Sequence, residues 1–124
     1  MSTLKTANIQ DTSGGNNSTP EEIYSGRAKA WVNFNGTGTV AIRVSFNVSS
    51  ITDNGTGDYT VNFTTALADT NYAAVATSGG TSSAWLIRDY SDATSRSASA
   101  IRFATASNAG TALDPSIINV AIFR

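Results

Sequence analysis

Residues 38–48, Gly38-Thr39-Val40-Ala41-Ile42-Arg43-Val44-Ser45-Phe46-Asn47-Val48, alternate apolar and polar. Val40, Ile42, Val44, Phe46 and Val48 fall on one parity; Thr39, Arg43, Ser45 and Asn47 fall on the other. A strand sends successive side chains to opposite faces, so this stretch has one dry face and one wet face. A helix would scatter the same residues around its axis. The pattern therefore commits the chain to antiparallel sheet with one face on a core.

The rest of the sequence repeats this grammar. Residues 27–34 place Ala28, Ala30, Val32 and Phe34 on one side and Arg27, Lys29, Trp31 and Asn33 on the other. Asn35-Gly36 then marks a tight hairpin. Further strands are expected over 58–65, with Tyr59, Val61 and Phe63 on one face, and over 71–77, 84–90, 98–106 and 117–123. Residues 84–90 are apolar on both parities, which predicts burial on both faces. Loops are expected at 50–58, 78–83 and 91–96. About seven strands with turns between them predict an all-β fold, an antiparallel β-sandwich over residues 27–124. Its expected core includes Val32, Phe34, Ile42, Val44, Phe46, Val61, Phe63 and Ile122.

Residues 1–26 read differently, as an extended N-terminal arm with a short helical turn. Residues 1–19 are polar, and only Leu4, Ala7 and Ile9 offer apolar surface, too little to offset the entropy of ordering them. Thr19-Pro20-Glu21-Glu22 is a helix start: Thr caps, Pro suits the first helical position and Glu22 completes a capping box. The arm is expected to find its partner on another chain, through Leu4 and Ile9.

The 124 residues contain no Cys and no His. Catalysis by imidazole or thiolate, a disulfide framework and a Cys/His zinc site are all excluded. The net charge of -1 favours neither a nucleic-acid backbone nor an anionic membrane. No apolar run reaches the length of a membrane span or of a secretory signal at the N-terminus, so synthesis is expected in a cytoplasm. The turn at 53–58 lacks the residue order and distal Glu of a calcium loop. Asp89 and Asp92 flank Tyr90, but at a strand-to-loop edge carboxylates are ordinarily just solvated. No enzyme activity and no cofactor are expected.

Binding residues are the better candidates. Trp85, Arg88, Asp89, Tyr90 and Asp92 combine aromatic rings with charged groups, a mixture suited to stacking on a sugar and hydrogen-bonding its hydroxyls. The loops at 50–58, 78–83 and 91–96 are the expected bearers of such a site. Trp31 sits opposite the Val32/Phe34 face and is a candidate assembly contact. Arg102, on a face otherwise made of Ala98, Ala100, Ala104 and Ala106, is another.

Several stretches resemble a known family. Leu4-Lys5-Thr6-Ala7-Asn8-Ile9-Gln10-Asp11-Thr12-Ser13-Gly14-Gly15 is similar to the arm of tail-fibre and other virion proteins of bacteriophages, especially marine phages of cyanobacteria. Residues 27–38, from Arg27-Ala28-Lys29-Ala30-Trp31 onward, look like the opening of the β domain in those proteins. Asp58-Tyr59-Thr60-Val61-Asn62-Phe63 and the closing Asn119-Val120-Ala121-Ile122-Phe123-Arg124 are also similar. The resemblance implies a virion protein, a homotrimer, contacts of the arm with other virion proteins, and a tail-fibre module recognising a host surface glycan. The chain has no long shaft, which leaves the alternative of a capsid or tail decoration protein without receptor binding.

Overall fold

The computed structural model describes residues 1–80, 86–90, 92 and 94–124. The predicted helix start is present. Helix α1, Pro20–Gly26, opens on Thr19, whose side chain accepts from the Glu22 N–H while the Glu22 carboxylate accepts from the Thr19 N–H. The strands are β1 (Ala30–Asn35), β2 (Ala41–Phe46), β3 (Val48–Gly55), β4 (Asp58–Phe63), β5 (Ala73–Gly79), β6 (Leu86–Asp89), β7 (Ala100–Ala106) and β8 (Ile117–Phe123).

They form two four-stranded sheets, β2-β1-β8-β5 and β3-β4-β7-β6, with every pairing antiparallel. This is the expected all-β sandwich, with eight strands among the described residues rather than about seven. The inward faces meet on Val32, Phe34, Tyr59, Val61, Ile101, Phe103, Ile118, Val120 and Ile122. Phe34, Tyr59 and Phe103 form an aromatic centre with ring centroids 5.4, 6.0 and 6.3 Å apart, Phe34 meeting both neighbours edge-on. Val32, Phe34, Val61, Phe63 and Ile122 are buried as expected.

The extra strand arises where the alternating run at 38–48 breaks. Asn47 adopts φ 53° and turns the chain from one sheet to the other. Its side-chain amide donates to the carbonyls of Lys29 and Thr65 at 3.0 and 3.1 Å and accepts from the Thr65 N–H at 2.8 Å. Asn tolerates this left-handed conformation better than most residues. The expected loop at 50–58 is therefore mostly strand β3, closed onto β4 by a short turn.

Of three expected core residues that stay exposed, Phe46 and Val44 face away from the core and Ile42 does not. Phe46, Val44 and Ile42 are 54%, 54% and 36% exposed. The cause lies in register. Trp31 pairs with Phe46, and Asn33 with Val44. Directly opposed residues in an antiparallel pair share a face. Val32 and Phe34 point inward, so Trp31 and Asn33 point outward and carry Phe46 and Val44 with them. A bulge then slips the register: Phe34 pairs with Ile42, leaving Arg43 as the extra residue. Ile42 is turned back toward Phe34, but on an edge strand it stays partly exposed. The described part of the 84–90 stretch, residues 86–90, is not buried on both faces either. Among the described residues, β6 is an edge strand with Leu86 and Arg88 exposed and Ile87 packed against the core.

Candidate functional site

The outer face of the sheet β2-β1-β8-β5 is built in rows. One row crosses all four strands as Phe46, Trp31, Ala121 and Val75. The next reads Val44, Asn33, Asn119 and Thr77. The first row is apolar throughout, and Phe46, Trp31 and Val75 are all exposed. The second is a polar ladder beyond Val44. Asn33 Nδ2 donates to Asn119 Oδ1 at 2.6 Å, and Asn119 Nδ2 donates to Thr77 Oγ1 at 3.2 Å. Arg43, released by the bulge, lies over the same side and donates to the Ser116 carbonyl at 2.6 Å and, at 3.5 Å, to Asn33 Oδ1. A groove of about 390 Å³ runs between Trp31, Val75, Asn33, Thr77 and Asn119. Strand spacing makes the apolar row roughly 14 Å long.

The arm and helix carry a second apolar surface. Asp11 organises a turn by accepting from the N–H groups of Ser13 and Gly15 at 3.0 and 2.8 Å. These hydrogen bonds, with those from the Ser13 hydroxyl and the Asn16 amide, hold the Asp11 carboxyl below its usual range. Ile9 and Ser18 exchange backbone hydrogen bonds across this turn, at 2.8 Å each. The arm thus has local order of its own, yet α1 buries no residue. Leu4, Ile9, Ile23 and Tyr24 stay exposed around an open trough of about 540 Å³. The Lys29 ammonium sits 3.5 Å from the centre of the Tyr24 ring and donates to the Tyr24 carbonyl, fastening the helix to the start of β1.

The residues expected to contact a glycan lie elsewhere, around the outer side of β6 and β7. Arg102 grips Asp58 with two parallel bonds, Nε to Oδ1 at 2.9 Å and Nη2 to Oδ2 at 2.6 Å. It also reaches Asp92 at 3.3 Å, and its guanidinium lies 3.8 Å from the centre of the Tyr90 ring. The Arg102 bonds hold the Asp58 carboxyl below the usual range, and Asp58 in turn raises the guanidinium's already high pKa. Asp92 accepts from the Thr94 N–H and hydroxyl at 2.9 and 3.0 Å. Asp89 is paired with Arg96 at 2.6 Å, and Arg96 also donates to the Tyr72 carbonyl. Asp89, Tyr90 and Asp92 thus each meet an arginine of the same chain, Asp89 through Arg96 and the other two through Arg102 on β7. Arg88 is exposed and pairs with no carboxylate among the described residues; it borders a hollow of about 400 Å³ with Asn54, Asp58, Tyr90 and Ala104. Trp85 lies outside the described residues, as do residues 81–83 of the expected loop at 78–83 and residues 91 and 93 of that at 91–96.

Of the four candidate assembly residues, Leu4 and Ile9 belong to the trough, Trp31 to the apolar row, and Arg102 to the ion-pair cluster. Phe46, Val44 and Val75 were not among the sequence candidates for a surface site. The signal for Phe46 was the Asn35-Gly36 hairpin, which brings β2 beside β1 and so sets Trp31 and Phe46 on a common face.

Among the described residues, no group of three or more acidic side chains is placed to hold a metal ion, and no helix is long and apolar enough to cross a membrane. The chain matches no protein-family model, no curated protein and no solved structure.

Proposed function

We propose that this chain is a virion structural protein, a non-catalytic β-sandwich module that assembles as a homotrimer and joins neighbouring virion proteins through its N-terminal arm. The observation that carries this reading is the exposed apolar row Phe46–Trp31–Ala121–Val75 across the outer face of the sheet β2-β1-β8-β5. Contiguous apolar surface of this kind on a small domain marks an interaction site. The resemblance of residues 4–15, 27–38, 58–63 and 119–124 to phage virion proteins gives the reading its setting, with synthesis in the host cytoplasm and residence on the particle.

Between the two forms of this reading, the residues favour a decoration or cementing role over glycan recognition. Asp89 and Asp92 already satisfy arginines of the same chain, and Arg102 covers the Tyr90 ring. A sugar would have to displace those partners. Light scattering on the purified protein tests the assembly, with a trimer expected and a stable monomer counting against it. Antibody labelling of intact particles tests the location. A glycan array probed with the assembled protein distinguishes the two forms: strong, saturable binding weakened by Asp89→Ala and Asp92→Ala would restore the receptor-binding reading.

A further inference from the structure

The subunit carries two apolar surfaces that its own core does not use. One is the flat row on the sheet β2-β1-β8-β5, with Val44 beside it. The other is the trough of Leu4, Ile9, Ile23 and Tyr24 formed by the arm and α1. We infer that the two are partners across copies: the arm–helix trough of one subunit seats on the Trp31/Phe46 row of the next. This inference rests on the self-assembly proposed above and names the surfaces that make it.

Area and shape support the pairing. Leu4 is 86% exposed and Val75 59%. Each surface offers on the order of 400 Å² of apolar side chain, within the range of functional surface patches. Alone, either falls short of the roughly 800 Å² per partner that a stable interface buries. One trough-on-row contact therefore makes a weak pair, but in a closed ring each subunit makes two, so releasing a subunit exposes about 800 Å² of its surface, divided between two neighbours. Contact between two different patches leaves neither exposed once the assembly closes on itself, as a three-membered ring does. The shapes also suit each other. The trough is concave, whereas Phe46 is more than half exposed at the edge of the sheet, beside the groove that Trp31 lines. The arm is long enough as well: residues 1–8 extended reach roughly 26 Å, more than the roughly 14 Å width of the row.

The chain contains no Cys, so introduced cysteines report contacts without background. One preparation would carry Leu4→Cys, a second Phe46→Cys and a third, as control, Thr52→Cys on the opposite sheet. After subunits are mixed and oxidised, Leu4→Cys is expected to cross-link with Phe46→Cys and not with Thr52→Cys. Independently, Leu4→Ser and Phe46→Ser should each raise the dissociation constant of the oligomer by about tenfold or more, with the circular dichroism of the subunit unchanged. Three results would overturn the inference. If Phe46→Ser dissociates the oligomer while Leu4→Ser and removal of residues 1–9 leave it intact, sheet packs on sheet and the arm is not the occupant. If neither variant affects the oligomer and soluble polysaccharide quenches Trp31 emission in a Trp85→Phe background, the row is a carbohydrate surface. If the unmodified protein is a monomer at all concentrations, the proposed assembly itself fails.

Discussion

Protonating Asp58 removes the anion that anchors Arg102, and through it the Tyr90 and Asp92 contacts. The Asp58 carboxyl is held below its ordinary value of 3.8 by the Arg102 bonds. A group depressed in the folded state contributes stability above its unfolded pKa and loses it as pH falls through the folded value. Thermal melts of the protein are thus expected to weaken below about pH 4, the carboxylate range. Asp69, similarly lowered by Arg124, adds to the same acid limb. Asp58→Asn should be less stable than the parent at pH 6, and the gap should close toward pH 3. A gap that stays constant with pH would show that the ion pair carries no titrating stability. Backbone space sets another residue-level demand. Gly57 has φ +68°, and a Cβ there would lie 2.4 Å from the Thr105 carbonyl oxygen. Gly57→Ala combines a left-handed strain with a backbone clash and should cost about 3 kcal/mol in urea unfolding.

At the scale of elements, β1 and β2 show how pairing assigns a face. Both carry alternating sequences, yet Phe34 is at the centre of the core and Phe46 is on the outside. Phe34→Ala is expected to cost about 3–5 kcal/mol, because it empties a site enclosed by Tyr59, Phe103 and Ile118. Phe46→Ala should change the stability of the isolated subunit by no more than about 0.5 kcal/mol, as for other surface substitutions. Denaturant titrations at a concentration where both variants are monomeric would compare them directly. A large loss for Phe46→Ala there would mean that β2 is turned over. Bulges also act on edges. The one at Arg43 interrupts β2, an edge of its sheet, and so disfavours pairing with a further strand.

For the whole molecule, the sandwich and the arm are energetically separate. Helix α1 buries nothing, and the core begins at Ala30. At a concentration where the full chain is monomeric, a truncation starting at Pro20 should fold with a melting temperature within a few degrees of it, since the lost residues contribute no core area. It should fail to incorporate into particles. Normal incorporation of the truncated protein would remove the arm from the assembly. The same separation explains why the two surplus apolar surfaces are reached by different residues, one by a sheet and the other by a segment outside the sheets.

The sequence by itself determined the class of fold, the inward faces of β1 and β4, and the helix start at Thr19. Each depends on local chemistry: the period-two pattern of Ala30-Val32-Phe34 and Tyr59-Val61-Phe63, and the short-range reciprocity of a capping box. It also marked Trp31 as facing away from the core. On β2 the same pattern misleads, because the apolar parity that holds Val44 and Phe46 is on the outer face. For Phe46 and Val44 the answer depended on pairing with Trp31 and Asn33 and on a turn at Asn47, where the chain leaves one sheet for the other. Asp89 and Asp92 likewise read as solvent-facing carboxylates. Their partners, Arg96 and Arg102, are brought to them by the pairing of β6 with β7. Tertiary structure decided these points because register, bulges and ion pairs depend on which strands meet, and no local pattern carries that information.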